Sequence, residues 1–180
     1  MTATPKKRLS RQDWIDAAIV MGAELGFDKI AVEVLAPRLG ATRGSFYWHF
    51  TDRADLIGAV LAEWERLATA QIIEHLDQLP PDEALTKLIG AAFGADAFQD
   101  GAEWRLITAA DDPLIGPSVA RVHRLRLEFI EKLLAGTGMS TLDASERARV
   151  AYVAYLGSLA LRQLEPDGPS PGPALLRLLS

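Results

Sequence analysis

The chain contains no cysteine. Disulfides, thiolate catalysis, zinc fingers and thiol redox sensing are excluded together. Histidine is scarce: His49, His75 and His123 are too scattered for a metal triad by spacing. No apolar run approaches the ~18 residues that a membrane span needs, and the basic N-terminus lacks a following signal-peptide core. A cytoplasmic protein without membrane contact is therefore expected. Phosphate-cradling glycine loops are missing, and Gly44-Ser45 does not complete the Gly-x-Ser-x-Gly elbow of a serine hydrolase. Asp111-Asp112 reads as a turn and helix cap. With no nucleophile, base and orienting acid in reach of one another, an enzyme is the weaker reading, and no cofactor is implied. Neither a strand pattern nor an internal repeat is visible.

What remains is a chain of 180 residues, half of them apolar, with a net charge of -5. That is one or two small domains with material for a core. The charge is uneven. Residues 1–53 carry 8 Lys/Arg against 6 Asp/Glu, a net +2, and the remainder carries 11 against 18, a net -7. Lys6, Lys7, Arg8 and Arg11 concentrate the positive part. A small basic head on an acidic body fits this split, and a solvated N-terminal tail fits Lys6–Arg8 equally well.

The chain is organised around Ala41–Arg53. Phe46 and Phe50 are four apart and share one helix face, which can enter a core. Arg43, Ser45, Tyr47 and Trp48 fall on the other sides, so a very short helix shows hydroxyls, a guanidinium and flat rings outward. Thr42 can cap it, and Gly44 permits close approach of another backbone. Leu35–Gly40 before it reads as a second short helix ended by glycine. Pro37 interrupts that helix, which must be short, kinked or begin near the proline. Helix, tight turn and helix together make a helix-turn-helix, whose second helix can enter a DNA major groove.

Arg43 can donate to guanine N7 and O6 or to phosphate, and Ser45 can contact base or backbone. Tyr47 and His49 can donate to phosphates, which sets register rather than sequence. Taken singly, Trp48 suits a core as well as a surface.

The run Leu35-Ala36-x-x-Leu39-Gly40-x-Thr42-x-Gly44-Ser45-Phe46-Tyr47-Trp48-His49-Phe50, continued by Asp52-Arg53-x-x-Leu56, resembles the DNA-binding signature of TetR (tetracycline-repressor) type transcriptional regulators. The resemblance covers the first third of the chain. It implies Arg43, Gly44, Ser45 and Tyr47 toward the groove and His49 and Arg53 at phosphates; Thr42 and Trp48 complete the candidate set. Val32 and Glu33 depart from the pattern, since relatives often place polar or basic residues there and Glu33 would repel a phosphate.

The rest reads as helices. Ser10 with Asp13 makes a capping box for a first helix, stapled by Leu9 and Trp14 and ended at Gly26. Asp52 caps a rod to Leu79, roughly 27 residues, or about 40 Å. Asp82 caps the next helix. Residues 94–101 are loosely helical at best, and a helix over 102–110 holds Trp104 and Ile107. Another opens at Gly116-Pro117. Ser140 caps a helix to Leu164 whose small residues make it the candidate dimer helix. A short apolar helix, Ala174–Leu179, follows a proline-rich connector.

The expectation is an all-α protein with a three-helix DNA-binding head (residues 1–51) and a helical ligand-binding and dimerisation body (residues 52–180). It would be a homodimeric repressor binding a palindromic double-stranded operator and responding to a small, mostly apolar effector. Trp64, Phe93, Phe98, Trp104, His123, Tyr152 and Tyr155 are the candidate cavity residues, with ordinary core filling as the rival reading for each. The alternatives are a ligand-binding or scaffolding helical dimer without operator binding, and a small helical enzyme.

Overall fold

The computed structural model describes residues 8–94 and 100–179, and every regular element among them is helical. The expectations for Lys6, Lys7, Phe98 and most of the 94–101 stretch lie outside the described residues. Helix α1 (Arg11–Leu25) begins on the reciprocal capping box of Ser10 and Asp13 and stops at Gly26. A single 3-10 turn, Phe27–Lys29, leads to α2 (Val32–Arg38). Pro37 lies inside α2, and the helix tolerates it by being short: the missing amide removes one hydrogen bond from a seven-residue element.

The α2 end is a Schellman motif. Gly40 takes a positive φ of 58° and donates to the Pro37 carbonyl at 2.9 Å, while the Ala41 amide reaches Ala36 at 2.8 Å. Thr42 then caps α3 (Arg43–Phe46), its hydroxyl accepting from the Ser45 amide at 3.2 Å.

Asp52 caps α4 (Arg53–Glu65), accepting from the Asp55 amide at 2.8 Å. The expected rod from Asp52 to Leu79 is present but is not a plain α-helix. A π-helical turn, Arg66–Ala70, separates α4 from α5 (Gln71–Leu76) without breaking the rod. Helix α6 (Pro81–Phe93) follows Pro80-Pro81; Pro80 holds the cap position, and Asp82 sits in the first turn instead. The remaining elements are α7 (Asp100–Thr108), α8 (Gly116–Gly136), α9 (Thr141–Leu164, capped by Ser140) and α10 (Gly172–Leu179). Among the described residues, no helix is long and apolar enough to cross a membrane.

The core of the first three helices does not end where they do. Trp14, Phe27, Leu35, Phe46 and Phe50 pack in one cluster with Ile57, Leu61 and Trp64 of α4, Leu106 of α7 and Val122 of α8. The body has its own cluster around Leu85, Phe93, Leu134 and Ala148, and α8 packs along α9. Ala144, Ala148 and Ala151 of α9 face this internal core, so most of its small residues serve contacts within the chain. The outward face of α9 carries Leu142, Val150, Val153, Leu161 and Leu164, all exposed. At helical spacing they fall within an arc of about 100°.

Polar contacts lace α8 to the rod. Arg121 donates from Nε to both Glu65 oxygens at 3.0 Å, Arg126 reaches the π turn, and Lys132 pairs with Asp77. Both partners climb in number together, so α8 and the rod run parallel.

Candidate functional site

Two places gather the candidate residues. The first is the outer surface of α3 and the turn after it. Phe46 is fully buried, packed edge-on against Trp14 with ring centroids 5.5 Å apart and stacked with Phe50 at 5.3 Å. These contacts anchor a helix of one turn, which is too short to persist by itself. The adjacent side chains therefore point out: Tyr47 is 56% and Trp48 78% exposed, while Thr42, Arg43 and Gly44 are also exposed. Ser45 and His49 are half-buried. The Ser45 hydroxyl donates to the Thr42 carbonyl at 2.8 Å, which leaves its lone pairs for an outside donor.

Three details were not visible in the sequence. Arg43 pairs with Glu33 across the turn, Nη2 to Oε1 at 2.8 Å, with both side chains largely exposed. The residue that would repel a phosphate thus lies against the guanidinium that would meet DNA. Arg53 donates from Nε to the Ile30 carbonyl at 2.6 Å and from Nη2 to the Phe27 carbonyl at 2.9 Å. Its guanidinium stitches the start of α4 to the 3-10 turn rather than standing free on the surface. A Cβ on Gly44 would meet nothing closer than the Thr42 hydroxyl oxygen, at 3.8 Å, so no contact among the described residues demands glycine there.

The second place is a cavity of about 110 Å³ in the body, between the π turn, α6, α7, α8 and α9. Of the candidate aromatics, Phe93, Tyr152 and Tyr155 line it. Trp64 belongs instead to the core shared with the head, His123 packs at a tilt against Tyr152 from outside the lining, with ring centroids 4.9 Å apart, and Trp104 is half-buried away from it.

The sequence reading missed the polar centre of the cavity, Glu103 and Arg126. Glu103 is 2% exposed. Arg126 donates to both its carboxylate oxygens, to Thr69 Oγ1 at 2.9 Å and to the Ala68 carbonyl at 2.9 Å. Ala68 and Thr69 belong to the π turn, whose altered hydrogen bonding aims them at α8. Burial opposes the Arg126 charge, but the Glu103 field and hydrogen bonds outweigh it and hold the guanidinium charged.

Burial also pushes the Tyr152 and Tyr155 hydroxyls up from the usual phenol range, and the Glu103 carboxylate adds to the shift at Tyr155. Protons that leave the unfolded chain near about pH 10 are retained in the fold. Their contribution to stability is thus whole below about pH 10 and is lost as pH rises further through the folded values. Urea unfolding between about pH 9 and about pH 11 should show stability falling by up to about 1.4 kcal/mol per unit for each tyrosine. Tyr155→Phe should flatten the decline; an unchanged slope would mean that the ring is not buried as described.

The family model for bacterial regulatory proteins of the tetR family matches residues 15–60. An HTH-type transcriptional repressor of Mycobacterium tuberculosis is 24% identical over 199 residues, covering 96% of this chain and 67% of the relative. A TetR transcriptional regulator from Legionella pneumophila superposes with a TM-score of 0.76 at 14% identity, covering 99% of this chain and 97% of the other. The regulator FadR from Bacillus subtilis, solved in complex with stearoyl-CoA, superposes with a TM-score of 0.71 at 17% identity, covering 94% and 97%. The signature in the head is thus that of the tetR family of bacterial regulatory proteins, the likeness to a repressor runs along 96% of this chain, and the helical fold is one it shares with a TetR transcriptional regulator.

Proposed function

We propose that this chain is a homodimeric repressor that binds a palindromic operator through α3 and releases it when a small, mostly apolar effector fills the body cavity. The functional division runs at residues 51 and 52, head before and body after. One observation carries the reading: the single turn Arg43–Phe46 and the residues after it are anchored by Phe46 and Phe50 yet present Arg43, Tyr47 and Trp48 to solvent. A glycine at 44 without an internal reason supports close approach by an outside backbone. In this arrangement Arg43 reads a base, Ser45 and Tyr47 contact base edge or phosphate, and His49 donates to phosphate.

Selection of bound duplexes from a random pool tests the function and its symmetry together. A palindrome with half-sites about 34 Å apart, or a multiple, is expected; no enrichment at all would favour the scaffolding dimer. On the selected site, Arg43→Ala should cost about 1–3 kcal/mol and relax the preference at one position of each half-site. An equal loss on every sequence would make Arg43 a phosphate contact.

Dimerisation through α9 is supported by its outward stripe of Leu142, Val150, Val153, Leu161 and Leu164. An apolar stripe of that kind suits an isologous contact with a second copy. Val153→Arg should give a monomer by light scattering, and with it a loss of operator binding. A variant that stays dimeric would move the interface elsewhere.

Effector control is supported by the cavity's position on the rod. Ala68, Thr69, Ile72 and Ile73 line it, and the same rod starts at Arg53, directly after the head. A structural neighbour of the same fold that holds a ligand points the same way. Coupling of about 1–3 kcal/mol is expected and must be reciprocal, operator weakening effector as effector weakens operator.

A further inference from the structure

The body cavity has one polar end, and that end is chemically closed. Both oxygens of Glu103 accept from Arg126, and Arg126 places its remaining bonds on Thr69 and on the Ala68 carbonyl. The pair is electrically neutral as a unit, and its members bind each other and the wall, Arg126 interacting with Tyr152 and Glu103 with Tyr155. Apart from the Tyr152 and Tyr155 hydroxyls, which interact with that pair, the rest of the wall is mostly carbon, from side chains such as Ile72, Leu88, Ile89, Phe129 and Ile130.

Volume narrows the choice further. About 110 Å³ lies well under the ~300 Å³ of drug-sized sites and close to the ~150 Å³ apolar cavity that stays dry and takes benzene. A long acyl chain does not fit in that space. An entering carboxylate would compete with Glu103 for Arg126, and an ammonium would compete with Arg126 for Glu103. Either exchange leaves a native charge buried without its partner.

On the effector reading given above, we infer that the cavity takes an uncharged, apolar molecule the size of one aromatic ring. The closed Arg126–Glu103 pair is what rejects charged analogues of that molecule.

Toluene, benzoate and benzylamine share one ring and differ in charge, so they separate the terms. With the full-length protein at neutral pH, saturation-transfer NMR and thermal shift should report toluene bound, with benzoate and benzylamine weaker by at least about 100-fold. Biphenyl, with a second ring, should not bind. Glu103→Gln leaves Arg126 without its counter-charge and should raise benzoate affinity relative to toluene by about tenfold or more. The wild-type selectivity stands as a test even if that variant folds poorly. Benzoate binding wild type as well as toluene would overturn the charge rule, biphenyl binding equally would overturn the size limit, and no binding by toluene would overturn the inference whole. Toluene that binds but leaves operator affinity unchanged would support the ligand class and sink the effector reading instead.

Discussion

Arg126→Met should destabilise the protein by about 3–5 kcal/mol, the range seen when one partner of a buried ion pair is removed. The reason is what stays behind. Glu103 would keep a carboxylate at 2% exposure with no cation, while the Ala68 carbonyl and Thr69 hydroxyl would lose their donor. For a chain of this size the melting temperature should fall by about 6–20 °C. Arg126→Lys should rescue only part of the loss, because an ammonium cannot reproduce the planar fork that reaches three partners at once.

The double variant, Arg126→Met with Glu103→Met, should recover most of the stability, since replacing a whole buried pair by apolar groups is often neutral. A cycle of the four proteins in urea would measure the coupling. A loss below about 1 kcal/mol for Arg126→Met would mean that the pair is solvated, as surface pairs are.

Phe46→Ala should cost about 3–5 kcal/mol as a large-to-small change at a fully buried site. Its effect on DNA binding should exceed its effect on stability. Helix α3 is a single turn held by the Thr42 cap and by the Phe46 ring between Trp14 and Phe50. Removing the ring takes away the anchor, and one turn of helix has little intrinsic stability to replace it. Operator binding should be abolished even where circular dichroism shows the remaining helices intact.

Phe46→Leu should retain much of both properties. Trp48→Ala is the informative contrast: at 78% exposure it should change stability by no more than about 0.5 kcal/mol while weakening operator binding. Retained binding in a folded Phe46→Ala protein would mean that α3 is not the reading element.

The head was legible in the sequence because its determinants are local. A capping box four residues long, glycines at helix ends, and two phenylalanines four apart each act within one or two turns of chain. Local rules therefore placed α1, the turn at Gly40, the α3 cap and the outward Tyr47 and Trp48 without any knowledge of distant partners. The same rules placed the end of α9 at Leu164 and its start beside Ser140.

What only the tertiary structure decided lies between residues far apart in the chain. Arg126 sits among Arg121 and Arg124 on α8, and a charged run on a helix reads as a solvated face. Its partners are 23 residues away in Glu103 and 57 and 58 away in Thr69 and Ala68. No periodicity announces such a pairing. The π turn was equally hidden, because propensity does not distinguish it from the α-helix around it. Arg53 turned inward to carbonyls 23 and 26 residues back, and the α9 alanines turned out to face the body's own core. Helix positions follow from short-range hydrogen bonding and apolar spacing, whereas a buried ion pair exists only once packing has removed the water that would otherwise have taken its place.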